Sequence, residues 1–424
     1  MVASRPRAGR PPARAGGPLV ARLPAAVMAP PTIAIAPPTM LWFAGHPGPG
    51  GSATVIVDSH VYCFTAPDTL AGHSSVEEHM GLWQWGYALH HQPAFRARDR
   101  APADARLLLD PAPHDPLRRA TNRDFRVDRV HNRLVWTVDG EDVTKHFLPP
   151  NTIEFSPGAC IAEMDYAGVD WALIHTDAAL GKDMAYLAEC VRAYPDRLRS
   201  MAPVDEYLIP TDPDRAIRWA VEAIEVHGLH ALKIIPEYAY RIAGSKGFDE
   251  PSWRPFWDAA AALRVPIFFT LGSAPGSTDD RQGFIDELWT LVRWHERYPD
   301  VVVSITHGFN WRHFLEGDRF VLPPAMWEPF AADRSIAMEV CFPVRIGDIF
   351  DFPYAECRPV LGAMVEKIGA RNLLWGTDMP FQNRFSTYRQ SRSWIETYAT
   401  FLSPDERNLI MGGTAARILG LPGA

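Results

Sequence analysis

Between residues 54 and 380 the sequence carries eight short, largely apolar runs separated by segments of helical length. They read TVIVDSHVYCF (54–64), WALIHT (171–176), RLRSMAPVD (197–205), HALKIIP (230–236), PIFFTLG (266–272), VVVSITHG (301–308), SIAMEVCF (335–342) and NLLWGTDMP (372–380). Runs that stay apolar at successive positions suit strands covered on both faces, as in a parallel sheet. Eight such strands alternating with helices predict an α/β fold, a (β/α)8 TIM barrel. In that fold the C-terminal strand ends converge on one mouth, where chemistry sits. Strands five, six and eight end in Thr270, His307 and Asp378. In the first strand, period-2 alternation puts Asp58, His60 and Tyr62 on one face and Val57, Ser59 and Val61 on the other.

The 424 residues suffice for one such barrel with an insertion, and we read residues 51–424 as that barrel. Residues 1–50 are rich in Arg, Pro, Ala and Gly without an acidic residue, and are expected to be a disordered leader. Residues 65–157 separate strand one from the first barrel helix, and are expected to form a cap over the mouth. Within them, 74–91 has helical spacing and 125–147 reads as a β-meander turning at Asp139-Gly140. Their aromatics Trp83, Trp85, Tyr87 and Trp136 either roof a pocket or form the insertion's own core. Helix starts are marked by Asp212-Pro213 and by a Ser403-Pro404-Asp405-Glu406 capping box.

The formal charge is −8, and the first 57 residues hold five Arg and no acid, which leaves 37 basic against 50 acidic residues. An acidic body without a basic patch argues against nucleic acid and anionic membrane as partners, and for a small-molecule substrate; a homo-oligomer is compatible. No apolar stretch reaches the ~18 residues of a membrane span. Five scattered Cys without a CxxC pair read as reduced thiols, so a cytoplasmic location is expected.

The D-x-H pattern at Asp58 and His60, His307-Gly308, Gly376-Thr377-Asp378-Met379-Pro380 and the ending SPDERNLIMGGTAARILGL together resemble the amidohydrolase superfamily. The similarity is to the amidohydrolase-related branch that includes aminocarboxymuconate-semialdehyde decarboxylase and pyrone-dicarboxylate lactonase. The resemblance implies a mononuclear metal held by two His of strand one, one His of strand five and the Asp of strand eight, with a strand-six His as acid/base. Carried over, His60, His307 and Asp378 match, while Tyr62 and Thr270 stand where the other two metal-binding His belong.

A catalytic zinc normally takes three protein ligands, and a Tyr with a pKa of about 10 is a poor one. One divalent metal, zinc, on His60 and Asp378 is therefore the alternative to a metal-free mechanism, which we favour. In the metal-free reading Asp378 is the base toward water and His60 or His307 orients or protonates the departing group. A cation must then stabilise the oxyanion, and Lys233 and Arg345 are available. Tyr62, Lys233, Thr270 and Arg345 are read as substrate-binding. Glu339 either pairs with Arg345 or leaves that arginine to a substrate carboxylate; His73 and His175 are weaker candidates, for which surface or packing roles are the default.

The function expected is hydrolysis of a C–O or C–N bond in a small, cyclic or aromatic, carboxylated substrate. The alternatives are non-oxidative decarboxylation of an aromatic or muconate-type acid, and a barrel that binds without catalysis.

Overall fold

The strand runs fold as their apolar pattern requires. In a computed structural model, which describes residues 55–110, 123–150 and 152–422, eight parallel strands form one sheet. They are β1 (Val57–Val61), β2 (Trp171–Ile174), β3 (Leu198–Ala202), β4 (Ala231–Ile234), β5 (Ile267–Phe269), β6 (Val303–Ile305), β7 (Ala337–Val340) and β8 (Leu373–Trp375), paired in that order. A parallel bridge between Val61 and Met379, with the Tyr62 N–H donating to the Met379 carbonyl at 2.7 Å, joins the two edges. This is a (β/α)8 barrel. The expected leader belongs to Met1–Ala53, which lies outside the described residues.

Each strand is shorter than its apolar run, because the run's polar end already belongs to the following loop. Helices fill the intervals, including α1 (Val76–Leu89) in the insertion, then α2 (Pro157–Ala167), α3 (Met184–Ala193), α4 (Pro213–Val221), α5 (Arg254–Ala262), α6 (Asp280–Arg297) and α7 (Arg358–Lys367). Asp212 caps α4 by accepting from the Arg215 N–H, with Pro213 in the first turn, and Ser403 and Glu406 form the expected capping box. None of the described helices is long and apolar enough to cross a membrane.

Alternation sorts the core into two apolar groups. Ile267 and Phe269 join the large cluster, whereas Phe268 packs in a second one with Val57, Leu173, Ala231 and Leu374. Ala415, Ala416 and Ile418 of the C-terminal helix pack into this second group. The polar strand-end residues lie elsewhere.

The insertion contains a five-stranded antiparallel sheet as well as α1. Asp139 and Gly140 (φ +52° and +79°) make the turn between Arg133–Val138 and Glu141–Lys145, as their sequence predicts. Trp83, Tyr87 and Trp136 are buried, with Tyr87 edge-on to Trp136 and Phe147, and all three belong to the large cluster that also takes in Ile267 and Phe269. Trp85 packs instead against Tyr238, which follows β4. Phe147 also meets Phe381, beyond β8, at a ring separation of 5.5 Å.

Candidate active site

Local backbone conformation aims the strand-end residues. His307 and Asp378 sit just past β6 and β8 with φ of +63° and +66°, a region that side-chain-bearing residues seldom occupy. Such conformations persist where surrounding bonds hold them. Here the Asp378 N–H donates to the His60 carbonyl (2.8 Å) and the His307 N–H to Glu339 Oε2 (2.7 Å). Gly376 permits β8 to approach β1 closely, since a Cβ there would lie 2.9 Å from Ser59 Oγ and 3.1 Å from His60 Cβ.

His60 is the centre of the group. Its Nδ1 lies 2.9 Å from Glu339 Oε2, and its Nε2 lies 3.2 Å from Asp378 Oδ1 and 3.1 Å from the Tyr62 hydroxyl. His307 Nε2 reaches the same Asp378 oxygen at 3.3 Å. The His60 ring stacks on His175 on one side (3.6 Å) and against His307 on the other (4.5 Å). His60 and Glu339 are wholly buried, whereas His307 and Asp378 keep a small exposure.

Electrostatics separates the two imidazoles that share Asp378. Burial alone would lower the His60 pKa, but the Glu339 and Asp378 carboxylates more than offset it, so His60 is raised above its ordinary value. His307 is pushed well below, by burial and by the Arg345 guanidinium, whose Nη2 donates to His307 Nδ1 at 3.1 Å. Because a guanidinium only donates, His307 Nδ1 must accept, and its proton belongs on Nε2, facing Asp378. Burial opposes ionisation of Asp378, yet hydrogen bonds from His307 and His60 and the charge on His60 hold its carboxyl well below the usual range. Asp58, under the site, is pushed up to about 7 by burial while it accepts from the Thr377 and Tyr388 hydroxyls (2.6 and 2.7 Å).

The structure thus brings His60, His307 and Asp378 together and places Tyr62, Lys233 and Arg345 around them. Lys233 Nζ donates to the Tyr62 hydroxyl at 2.9 Å, and burial lowers its pKa. Tyr62 is pushed well above its ordinary value, first by burial and then by the nearby carboxylates. The Thr270 hydroxyl is buried without a hydrogen-bond partner among the described residues and joins none of these contacts.

Three expectations change. Glu339 does not pair with Arg345; it binds His60, the His307 N–H and the Ser59 hydroxyl (3.2 Å). Strict alternation in the first strand also fails, because the β1–β2 register shifts between Asp58 and Val61 and Ser59 reaches the same carboxylate as His60. His175 is no peripheral packing residue: it lies against His60, with Nε2 on the Ser59 carbonyl at 2.7 Å and Nδ1 buried without a partner among the described residues. His73, by contrast, is a packing residue tied to the Ala178 carbonyl. Arg384, six residues beyond Asp378, was not singled out by the sequence. No motif marks it, yet it feels the Asp378 charge directly.

By spacing, His60, His307 and Asp378 form a group that could hold a metal ion, and so do His60, His175 and Glu339; in each group the ligand atoms lie within 4.8 Å of one another.

No curated protein matches this sequence. Solved structures with similar folds include 5-carboxyvanillate decarboxylase from Sphingomonas paucimobilis, at 20% identity over 63% of this chain and 84% of that one, with a TM-score of 0.44. A probable 2-pyrone-4,6-dicarboxylic acid hydrolase from Acinetobacter baumannii, with citric acid bound, is 16% identical over 63% of this chain and 90% of its own (TM-score 0.48). A dihydroxybenzoic acid decarboxylase from a Polaromonas species, with manganese and 2-nitroresorcinol bound, is 18% identical over 64% and 88% (TM-score 0.46). The family model described as Amidohydrolase matches residues 148–421, which takes in seven of the eight barrel strands together with His307 and Asp378. With that match over more than half its length, the chain belongs to the amidohydrolase family, in the amidohydrolase-related branch that its motifs resemble.

Proposed function

We propose that this protein is a hydrolase that cleaves a C–O or C–N bond in a small carboxylated substrate without a resident metal. The observation that carries this reading is the Asp378 carboxylate shared by two imidazoles of opposite character, a raised His60 at 3.2 Å and a depressed His307 at 3.3 Å.

A divalent metal, zinc in the reading above, would draw on His60 and Asp378. The donor set does not fit it. His307 is removed as a third ligand because Arg345 occupies its Nδ1 and leaves the proton on Nε2. Tyr62 has its proton held by burial and its oxygen engaged by Lys233, and Thr270 offers only a neutral hydroxyl. The set around Asp378 therefore falls short of three deprotonated protein ligands.

In the metal-free reading, water attacks the substrate carbonyl as Asp378 takes its proton, and the C–O or C–N bond breaks as His60 gives its own proton to the departing atom. As the His60 charge disappears, one of the supports for the low Asp378 pKa goes with it, so the carboxylate becomes a stronger base when it is needed. Proton return from Asp378 to His60 over 3.2 Å restores the site, with one water consumed. Lys233, acting through the Tyr62 hydroxyl, and Arg345 supply positive charge for the oxyanion and for a substrate carboxylate; each such donor is typically worth about 10²–10³ in rate. The unpartnered Thr270 hydroxyl is a further contact for substrate.

The test is product analysis in ¹⁸O-labelled water, with metal content and activity measured before and after chelation. Label in the product and activity that survives chelation are expected. Carbon dioxide release without label would replace this reading with the decarboxylase. A chelation-sensitive, stoichiometric metal would overturn the metal-free part.

A further inference from the structure

Two arginines on the His307 side of the site lack what buried cations normally have. Arg345 Nη2 meets His307, a neutral acceptor, and its Nε is buried with no partner among the described residues. Arg384 is partly buried; its Nε donates to the Phe381 carbonyl (2.9 Å) and its Nη1 to His90 Nε2 (3.3 Å). Among the described residues neither guanidinium has a carboxylate at ion-pairing distance, whereas neighbouring Arg312 engages both oxygens of Asp348. A cation withdrawn from water without a counter-ion costs several kcal/mol, so an unpaired pair beside Asp378 calls for a diffusible anion.

The insertion contributes to this place. His90 follows α1, and its carbonyl accepts from Lys145 Nζ (2.5 Å), which also binds the Tyr87 carbonyl. Its ring stands edge-on to Phe147 at 4.6 Å. Burial and Arg384 together push His90 well below its ordinary pKa, so it is a neutral acceptor that orients Arg384 without neutralising it. His91, beside it, is also held neutral and lies 3.8 Å from Asp348.

We propose that Arg384, positioned by His90 of the insertion, is a second anion subsite next to Arg345, so that the preferred substrate carries two acidic groups. This rests on the hydrolase reading only for where the substrate lies. One carboxylate goes to Arg345, and the second is gripped by Arg384, whose planar fork matches a carboxylate. Arg345 connects to Asp378 through the two nitrogens of His307 and Arg384 feels the Asp378 charge, so the bond to be cleaved lies between or beside the two anchors.

The experiment measures binding rather than turnover, so it separates the subsite from the chemistry. Benzoate and isophthalate are titrated calorimetrically into the full chain, into R384Q and R384K, and into R345Q, with a thermal melt of each variant to verify folding. Isophthalate is expected to bind roughly tenfold more tightly than benzoate. R384Q should abolish that advantage while leaving benzoate affinity unchanged, R384K should restore part of it, and R345Q should weaken both ligands. Equal affinity for the two acids, no binding of either, or a folded R384Q that keeps the preference would each overturn the subsite. A preference for isophthalate in a protein that later proves to be no hydrolase would leave the subsite standing and remove only the reaction.

Discussion

Asp378 has two flanks built on opposite plans. On the β1 side, His60, Glu339, Ser59, Tyr62 and Lys233 are buried and joined by hydrogen bonds of 2.9–3.2 Å, with charges that answer one another. On the other side, His307 has its pKa depressed, and Arg345 and Arg384 meet no carboxylate at ion-pairing distance among the described residues. The first flank is finished in the protein itself; the second is completed by something that arrives. A satisfied buried network rigidifies what it holds, whereas an unsatisfied one stores binding capacity at a cost in stability.

The largest effect should come from the residue that both flanks share. Asp378→Asn is expected to lower turnover by about 10³-fold, within the range for loss of an acid/base group, with a melt close to wild type; a tenfold loss or less would place the proton transfer elsewhere. Next, stability should divide the flanks. Glu339→Ala strips the His60 charge and the His307 N–H of their acceptor and should cost about 3–5 kcal/mol in urea unfolding. Arg384→Gln should leave stability unchanged or raise it, because the lost charge had no counter-ion. If both variants are equally destabilised, the contrast between the flanks fails.

The pH dependence of stability sharpens the same contrast. His307 is depressed in the folded protein, so as pH falls below the unfolded value of about 6.5 the unfolded chain takes up a proton that the folded one refuses. Its contribution is present above that value and lost on acidification, by about 1.4 kcal/mol per pH unit. His60 is raised, so its contribution is complete below about 6.5 and is lost as pH rises through the folded value. Unfolding measured from pH 5 to 9 should therefore lose acid-side slope in His307→Asn and alkaline-side slope in His60→Asn. Identical profiles would mean that the two imidazoles do not differ in charge. A smaller loss than that of Glu339→Ala is expected from Tyr62→Phe, which takes away the acceptor of Lys233 and should cost about 1–3 kcal/mol while Asp378 and His60 stay in register.

Local signals sufficed for much of this molecule. Apolar runs specified eight strands, Asp212-Pro213 and Ser403-Pro404 marked helix starts, Asp139-Gly140 marked a hairpin, and barrel geometry pointed to Thr270, His307 and Asp378 as strand-end residues. Each depends on a residue and its neighbours within a few positions, where backbone sterics and side-chain period act directly. What the chain order could not reveal is which distant groups meet. Glu339 reaches His60 across 279 residues, and Arg384 reaches His90 across 294. The shift in β1 that turns Ser59 onto Glu339 is a property of strand pairing, invisible in an alternating pattern. Charge states belong to that second class, because an imidazole has the same intrinsic pKa at 60 and at 307. Only closure of the barrel, by giving one of them two carboxylates and the other a guanidinium, raises the pKa of the first and lowers that of the second.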